Sequence, residues 1–595
     1  MACSLAGSAN SVIHSQKLYI ATVGIDFGTT YSGFAFSFNK EEDDEAIFMN
    51  RDWVNELGHR TSKTPTCLLL NKDQSFDSFG YKAVEKYAHL RSVYEEKEFF
   101  FFQNFKMKLF EDIDLKSTLY AANGRAVEAK KVFALSIKFL GDEAVKLIRQ
   151  ETQDDDFKAE DIQWVLTVPA IWTPSSKQFM REAAYEAGIV SREHPEQLKI
   201  ALEPEAAALF CTMRKIDAIQ SERLSASVDG LLIRPNAQYM VVDIGGGTLD
   251  VTAHERQDDG TIKEIHKVTG GPYGGSKVNH QFEGLLNELF GDEELYEYRK
   301  VFPADWLKLK NDFEEKKRNN RALQGKETKI LLPVSLTTTA TEIRPQARER
   351  YGDEVKIVRQ EYLSLSSRVM IDLFSPVLEA MEEHLLTLLN KDVLSKVNVI
   401  LLVGGFAVSP VLQQQIQGEL SKRYRIITPR NADTAVVQGA VMFGNMPTKI
   451  TARIVRITYG VDCSRDFIHG VHPLEKKFVA DGIEKCGDIF ACFVKENDTV
   501  MLGQFIRRKF NPLRANDTLI TFGIYTAEDP NAQFVTDQGM TKIATVTVQS
   551  PDTHKGRDRE IEVSMYFGGT EITATALDVS SGNVEQIRLD FFAKS

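Results

Sequence analysis

The sequence predicts a layered α/β architecture in two related halves followed by an all-β domain, and three observations carry that expectation. A strand runs into Asp26, turns through FGTT and leaves as a second strand; about 217 residues later QYMVVDI enters GGGTLD and leaves through VTAHE. Around these two hairpins, strands alternate with helix-length amphipathic stretches, the pattern of α/β layers. Past Met446 the texture changes to period-two alternation with turn residues between the runs, as in KIATVTV, IEVSMYF and EITATALDV.

Residues 18–25 alternate and then run apolar into Asp26, and FGTTYSGFAFSF reads as a glycine turn followed by an alternating strand. The acidic EEDDE at 41–45 reads as a solvated hairpin tip, and the four phenylalanines at 99–102 as the core of a helix. Helices are expected over 129–150 and 174–187, with a buried strand, IQWVLTVPA, between them that ends at Pro169. After the second hairpin, the charged block 303–323 should be helical and 330–337 strand-like. Apolar positions at three- and four-residue spacing predict an amphipathic helix over 361–389. It leads into the strand VNVILLV and the turn GGFAVSP. Detectable repetition between the halves stops at the hairpin turns.

With 595 residues, 43% hydrophobic and 26% charged, the chain is long enough for about four packed units at roughly 150 residues each. Its 72 basic and 84 acidic side chains are interleaved and leave a net charge of −12, so nucleic acid is a poor candidate partner. Six scattered cysteines lack the short spacing of zinc or redox sites and read as free thiols in a reducing compartment. The eleven histidines show no metal-ligand spacing. Residues 1–17 are small and polar, expected to be flexible and without the apolar run of a secretory signal. The longest apolar run, 397–408, contains Asn398 and two glycines, so no membrane span is expected. A soluble cytoplasmic protein follows, with the nucleus a second option.

Phosphate binding requires backbone amides to come close to anionic oxygens, and glycine at a tight turn removes the Cβ that would intervene. Gly28 with Thr29 and Thr30 supplies one such turn, and Gly245, Gly246 and Gly247 with Thr248 another. Gly404 and Gly405 follow a buried strand and precede a helix, where they could pack against a flat base or ribose. A lone glycine turn is weak evidence. Three in one chain, two with an aspartate at the strand end, point together to a phosphate site. Magnesium prefers hard oxygen ligands, which makes Asp26, Asp243 and Asp250 the metal candidates. Any one of them alone reads equally as a turn cap.

GIDFGTTYSGFAF resembles the first phosphate hairpin of the actin, sugar-kinase and heat-shock chaperone superfamily, and VVDIGGGTLDVTAHE resembles the second. LTVPAIWTPSSKQFMREAAYEAGI followed by LEPEAAALF is similar to the connecting segment of the heat shock 70 kDa family, LLVGGFAVSPVLQQQI to its adenosine turn, and NADTAVVQGAV to its second connecting helix. Their order and spacing agree over residues 19–443. GGFAVSP and GGSKVNHQF resemble the divergent heat shock 70 kDa protein 12A/12B subfamily.

The resemblance implies a two-lobed actin-like ATPase domain of ribonuclease H-like fold, with lobe I at 18–235 and lobe II at 236–446. A peptide-binding β-sandwich at 447–595 would follow, without a helical lid. It further implies that Asp26, Thr29, Thr30 and Tyr31 hold phosphates and the metal's water shell, faced by Asp243, Gly245, Gly246, Gly247, Thr248 and Asp250. Glu203 would orient the attacking water, its alternative being a salt-bridged helix start. Lys106 would reach the γ-phosphate, with neighbouring Lys108 as the competing lysine. Asp243 and Thr248 would complete the catalytic set with these two. Glu314, Lys317 and Arg318 would clamp the adenine, with Gly404, Gly405 and Asp433 opposite.

Three departures from the family pattern stand out. Val408 replaces an arginine that stacks on the purine, which removes a cation–π contact and should alter affinity or base preference. The acidic-leucine linker is replaced by NMPTKITARIV, and the chain ends soon after the last strand. The implied function is a chaperone-like protein that binds ATP/ADP with Mg2+ and hydrolyses slowly, a weak ATPase, with unfolded peptide or a specific client on the β-domain. A nucleotide-gated scaffold or adaptor with little hydrolysis is the main alternative, and a small-molecule kinase of the same fold the lesser one.

Overall fold

The computed structural model describes residues 19–588 apart from 40–45, 55–57, 59, 93–95, 111–114, 214–231, 233, 320, 340–341 and 568. The expected flexible N-terminus and the EEDDE hairpin tip lie outside the described residues. In the first half, Ala21–Phe27 pairs antiparallel with Tyr31–Phe38 and parallel with Ile162–Val168, which pairs parallel with Leu198–Leu202. In the second half, Gln238–Ile244 pairs antiparallel with Leu249–Arg256 and parallel with Val399–Val403, which pairs parallel with Arg425–Ile427. The repeat that the sequence displays only at its turns therefore extends through whole sheets. A core that only requires apolar side chains of about the right volume leaves the backbone pattern in place while erasing identity.

Helices cover these sheets as the apolar patterns demand. Ala129–Thr152 and Pro174–Ala187 lie on the first sheet and share one core with it, including Phe133, Leu140, Trp164 and Phe179. The second of them starts where Thr173 accepts the Ser176 amide and Pro174 occupies the first turn, and it stops at Gly188 with φ +74°. Between the lobes, Glu203–Met213 crosses Ala435–Asn445, and both are rich in alanine or glycine. Small side chains let the two backbones approach closely.

Three expectations change. Phe100–Gln103 is a buried strand paired with Cys67–Leu70, so the phenylalanines are core but not helix. The expected strand at 330–337 is the strand Thr328–Leu331 followed by the helix Val334–Thr339. The segment 361–389 is not one helix: Tyr362–Leu365 is the central strand of a three-stranded sheet, and helices Ser367–Asp372 and Ser375–Leu389 follow. YLSL alternates with period two, and Pro376, lacking an amide hydrogen, begins a helix rather than continuing one.

The last part is a sandwich of two antiparallel sheets, five-stranded and four-stranded, over one apolar core that includes Val461, Ile524, Val546, Val563 and Ala576. Buried Arg559 is held there by the carbonyls of Ala515, Asp517, Ser550 and Gly556. Among the described residues no α-helix follows Ala435–Asn445. The connection itself is structured: Ile450–Ile454 adds to the edge of the second-lobe sheet, parallel to Ile262–Gly271, and Thr499–Met501 adds beyond it. No described helix is long and apolar enough to cross a membrane.

Candidate functional site

Because the two half-sheets share one pattern, their hairpin turns face each other across a cavity of about 390 Å³. Its wall contains Asp26, Gly28, Thr29, Thr30, Tyr31, Lys106, Glu203, Asp243, Gly245, Gly246, Gly247, Thr248, Glu314, Lys317, Arg318, Gly404, Gly405 and Asp433. Asp250 is the exception among the expected residues. It pairs across the hairpin from Asp243 and accepts the Ile171 amide at 2.8 Å, so it braces the turn from behind the wall.

The glycines are required by space. A Cβ on Gly246 would overlap Thr30 of the opposing turn, and one on Gly404, which has φ +93°, would overlap Asp243 and the Ile244 carbonyl. The second turn is propped by the chain that opens the helix Ser276–Phe290: the amides of Gly274, Gly275 and Ser276 bond the carbonyls of Gly247, Gly245 and Gly246 at 2.7–3.1 Å.

Charge is concentrated at the same end. The Asp26 carboxylate accepts from Lys63 Nζ at 2.6 Å and from Thr167 Oγ1 at 3.1 Å. Lys106 sits in the buried 3₁₀ turn Phe105–Phe110, donates to Glu203 Oε1 at 2.7 Å and lies 5.1 Å from the Trp172 ring centroid. Lys108 is exposed, so Lys106 is the lysine brought into the cavity. Burial raises Glu203 to about 7, against the opposing pull of Lys106. Asp243 has no ion-pair partner among the described residues, and burial, then Glu203, Asp250 and Asp26, push its carboxyl well above the ordinary range. Two ammonium groups thus face three carboxylates in the wall. No group of three or more His, Cys, Asp or Glu among the described residues forms a complete metal cage. The donor set suits a hard cation held through water and through a ligand's own oxygens.

At the other end, buried Glu314 is brought down to about 2, despite the raising effect of burial, by Lys317 at 2.5 Å and Arg318 at 2.9 Å. Lys317 also bonds the Gly275 carbonyl and Asn279 Oδ1, each at 2.8 Å. The Arg318 guanidinium lies 4.4 Å from the Tyr31 ring centroid, and Val408 lines the wall opposite.

Sequence reasoning missed Lys63 and Thr167. SKTP carries no motif signal, because a lysine in a polar loop ordinarily faces water; only the pairing of Thr64–Pro65 with Tyr31–Phe38 carries Lys63 to Asp26. Thr167 lies next to the end of a buried strand, Ile162–Val168, where polar side chains are rare and each requires a partner.

A family model described as Hsp70 protein matches residues 22–566. The chain belongs to the Hsp70 family. Among Hsp70 relatives, heat shock 70 kDa protein 12A of Homo sapiens is 35% identical over 99% of this chain and 94% of its own length. Heat shock 70 kDa protein 12B of Homo sapiens is 36% identical over 97% of this chain and 92% of its own length. Chaperone protein DnaK 3 of a Synechococcus strain is 26% identical over 59% of this chain and 45% of its own length. The 12A and 12B resemblances run into the β-sandwich.

Proposed function

We propose that the chain binds ATP with magnesium between lobes 18–235 and 236–446, hydrolyses it slowly and passes its nucleotide state to the β-sandwich at 447–595. That domain would engage unfolded peptide or a specific protein client, in the cytoplasm. The observation that carries this reading is the meeting of two glycine turns from opposite lobes beside a carboxylate, Asp243, that has no ion-pair partner among the described residues.

The turn amides of 28–31 and 245–248 would hold phosphate oxygens, with Lys106 placed toward the γ-phosphate and Glu203, poised near neutrality, orienting water. Asp26 and Asp243 would hold the magnesium through its water, and Asp250 would fix the turn that presents them. Magnesium, when bound, would supply charge neutralisation at the phosphates. Positioning and charge carry the reaction, since phosphoryl transfer needs little covalent help from protein. The adenine would lie between the Glu314, Lys317 and Arg318 side chains and the turn at 404–405.

Single-turnover ATP hydrolysis, measured with and without an unfolded peptide, tests this reading. Slow turnover that changes with peptide is expected. Tight ATP binding without turnover would instead favour a nucleotide-gated adaptor, the reading that Val408 supports. ATP-dependent phosphorylation of a sugar or polyol would indicate a kinase. A folded protein that releases no heat on titration with ATP in excess magnesium would end all three.

A further inference from the structure

A second and larger cavity, about 730 Å³, lies where lobe I, the edge of the second-lobe sheet, the connecting segment and the β-sandwich meet. Every arginine in its wall except one is matched to a carboxylate. Arg181 pairs with Glu571 at 2.5 Å, Arg453 with Glu205 at 2.7 Å and Arg192 with Glu182. The exception is Arg456, which donates to the Ala170 carbonyl and has no carboxylate within ion-pair distance among the described residues.

Lys177 is the second uncompensated cation. Its residue is only 8% exposed, its ammonium has no hydrogen-bond or ion-pair partner among the described residues, and it lines this cavity. Burying a charge without a partner is costly, so such a group implies something that is to fill the place. Burial, and then the Arg456 guanidinium, push the Lys177 ammonium down to about 7.

Apolar side chains, Trp172, Leu202, Val455, Ile457, Phe567 and Ile572, form part of the same wall, beside hydroxyl and amide groups such as Thr173 and Gln586. Of the three acids in the wall, Glu182 and Glu571 are paired with arginines, and Glu264 accepts the Ile454 amide at 2.8 Å. Burial raises its carboxyl to about 7, and in its ionised form it disfavours a second negative charge on an occupant. The volume falls in the range of small-molecule sites, which are mostly apolar with a few polar groups that fix orientation.

We propose that this cavity binds a small amphipathic monocarboxylate, its head group held by Lys177 and Arg456 and its apolar body along the wall from Trp172 to Ile572. Because that wall is contributed by several parts of the chain, occupancy and their docking are linked. The proposal does not rest on the nucleotide chemistry of the other cavity.

The test uses the full chain, without nucleotide, titrated with decanoate, 1-decanol or inorganic phosphate. Heat and the Trp172 emission are followed, the latter identified by its loss in Trp172→Phe. Decanoate should bind saturably, with 1-decanol and phosphate each at least tenfold weaker. Lys177→Met should weaken decanoate at least tenfold while Lys177→Arg keeps it within about threefold, as expected of one buried charge contact. Equal binding of 1-decanol would show an apolar pocket only, and equal binding of phosphate an anion site without an apolar requirement; either overturns the proposal. So does unchanged decanoate affinity in a Lys177→Met protein whose circular dichroism is native. Should that variant not fold, the wild-type contrast of decanoate with 1-decanol decides.

Discussion

Asp243 carries a heavy electrostatic load, because burial and three neighbouring carboxylates push its carboxyl up against the pull of Lys63, with no ion pair among the described residues. Asp243→Ala is expected to abolish magnesium-dependent ATP hydrolysis, and Lys106→Ala to slow it by about 10²-fold, the effect of losing one preorganised charge contact. Phosphate-release kinetics of the purified variants check both. His254 offers a separate, pH-based prediction. Burial holds its imidazole down to about 4, although Glu205 pulls it upward, whereas in the unfolded chain it titrates near 6.5. The unfolded state therefore takes up the proton first, so the stability is fully present above about 6.5 and is lost as pH falls toward 4. Between pH 7 and pH 5 this one group withdraws about 2 kcal/mol, at 1.36 kcal/mol per pKa unit. In His254→Phe the urea midpoint should fall less over that interval than in the wild type.

At the scale of elements, the interlobe helices depend on close backbone contact. A Cβ on Gly439, in Ala435–Asn445, would overlap the Ala206 carbonyl of Glu203–Met213. The obstacle is backbone, so repacking cannot absorb it, and Gly439→Ala should destabilise by about 3 kcal/mol, the upper end for overpacking. Gly418, with open space around it, is the control and should tolerate alanine. Urea unfolding separates the two. The hairpins, the strand ending at Pro169 and the helix 174–187 were all legible in the sequence because their signals are local: a period, a cap, a proline. The four phenylalanines and residues 361–389 misled for the complementary reason. A short apolar run fits a buried strand as well as a helix; Phe100–Gln103 is settled by Cys67–Leu70, thirty or more residues away, and Tyr362–Leu365 by distant Thr328–Leu331 together with the nearby Val355–Val358.

Across the whole molecule, lobe I and the β-sandwich are joined by polar contacts set in an apolar seam. Arg181 forms a two-point pair with Glu571 at 2.6 and 2.5 Å, and Thr570 Oγ1 donates to the Ile200 carbonyl at 2.7 Å. Glu571→Gln leaves a buried guanidinium short of its charge partner, a loss of about 3 kcal/mol and roughly a hundredfold in the docking equilibrium. Thermal unfolding should then split into two transitions, with the β-sandwich cleaved earlier in limited proteolysis. A single unshifted transition would rule out that role for the pair. The missing acidic-leucine linker, an expected weakness in coupling, is answered by Ile450–Ile454, which the sequence shows only as ITARI and which becomes a sheet strand by pairing with Ile262–Gly271. By itself the sequence determined the paired α/β halves and the glycine turns, since turn chemistry and side-chain period are written in consecutive residues, while Lys106, Glu203, Glu314, Lys317, Arg318 and Asp433 were expected only from the family resemblance. Only the tertiary structure decided that Lys63 meets Asp26, that Asp250 stands behind the wall and that Lys177 lacks a partner among the described residues, because charge and burial are settled by neighbours that the chain brings together from far apart.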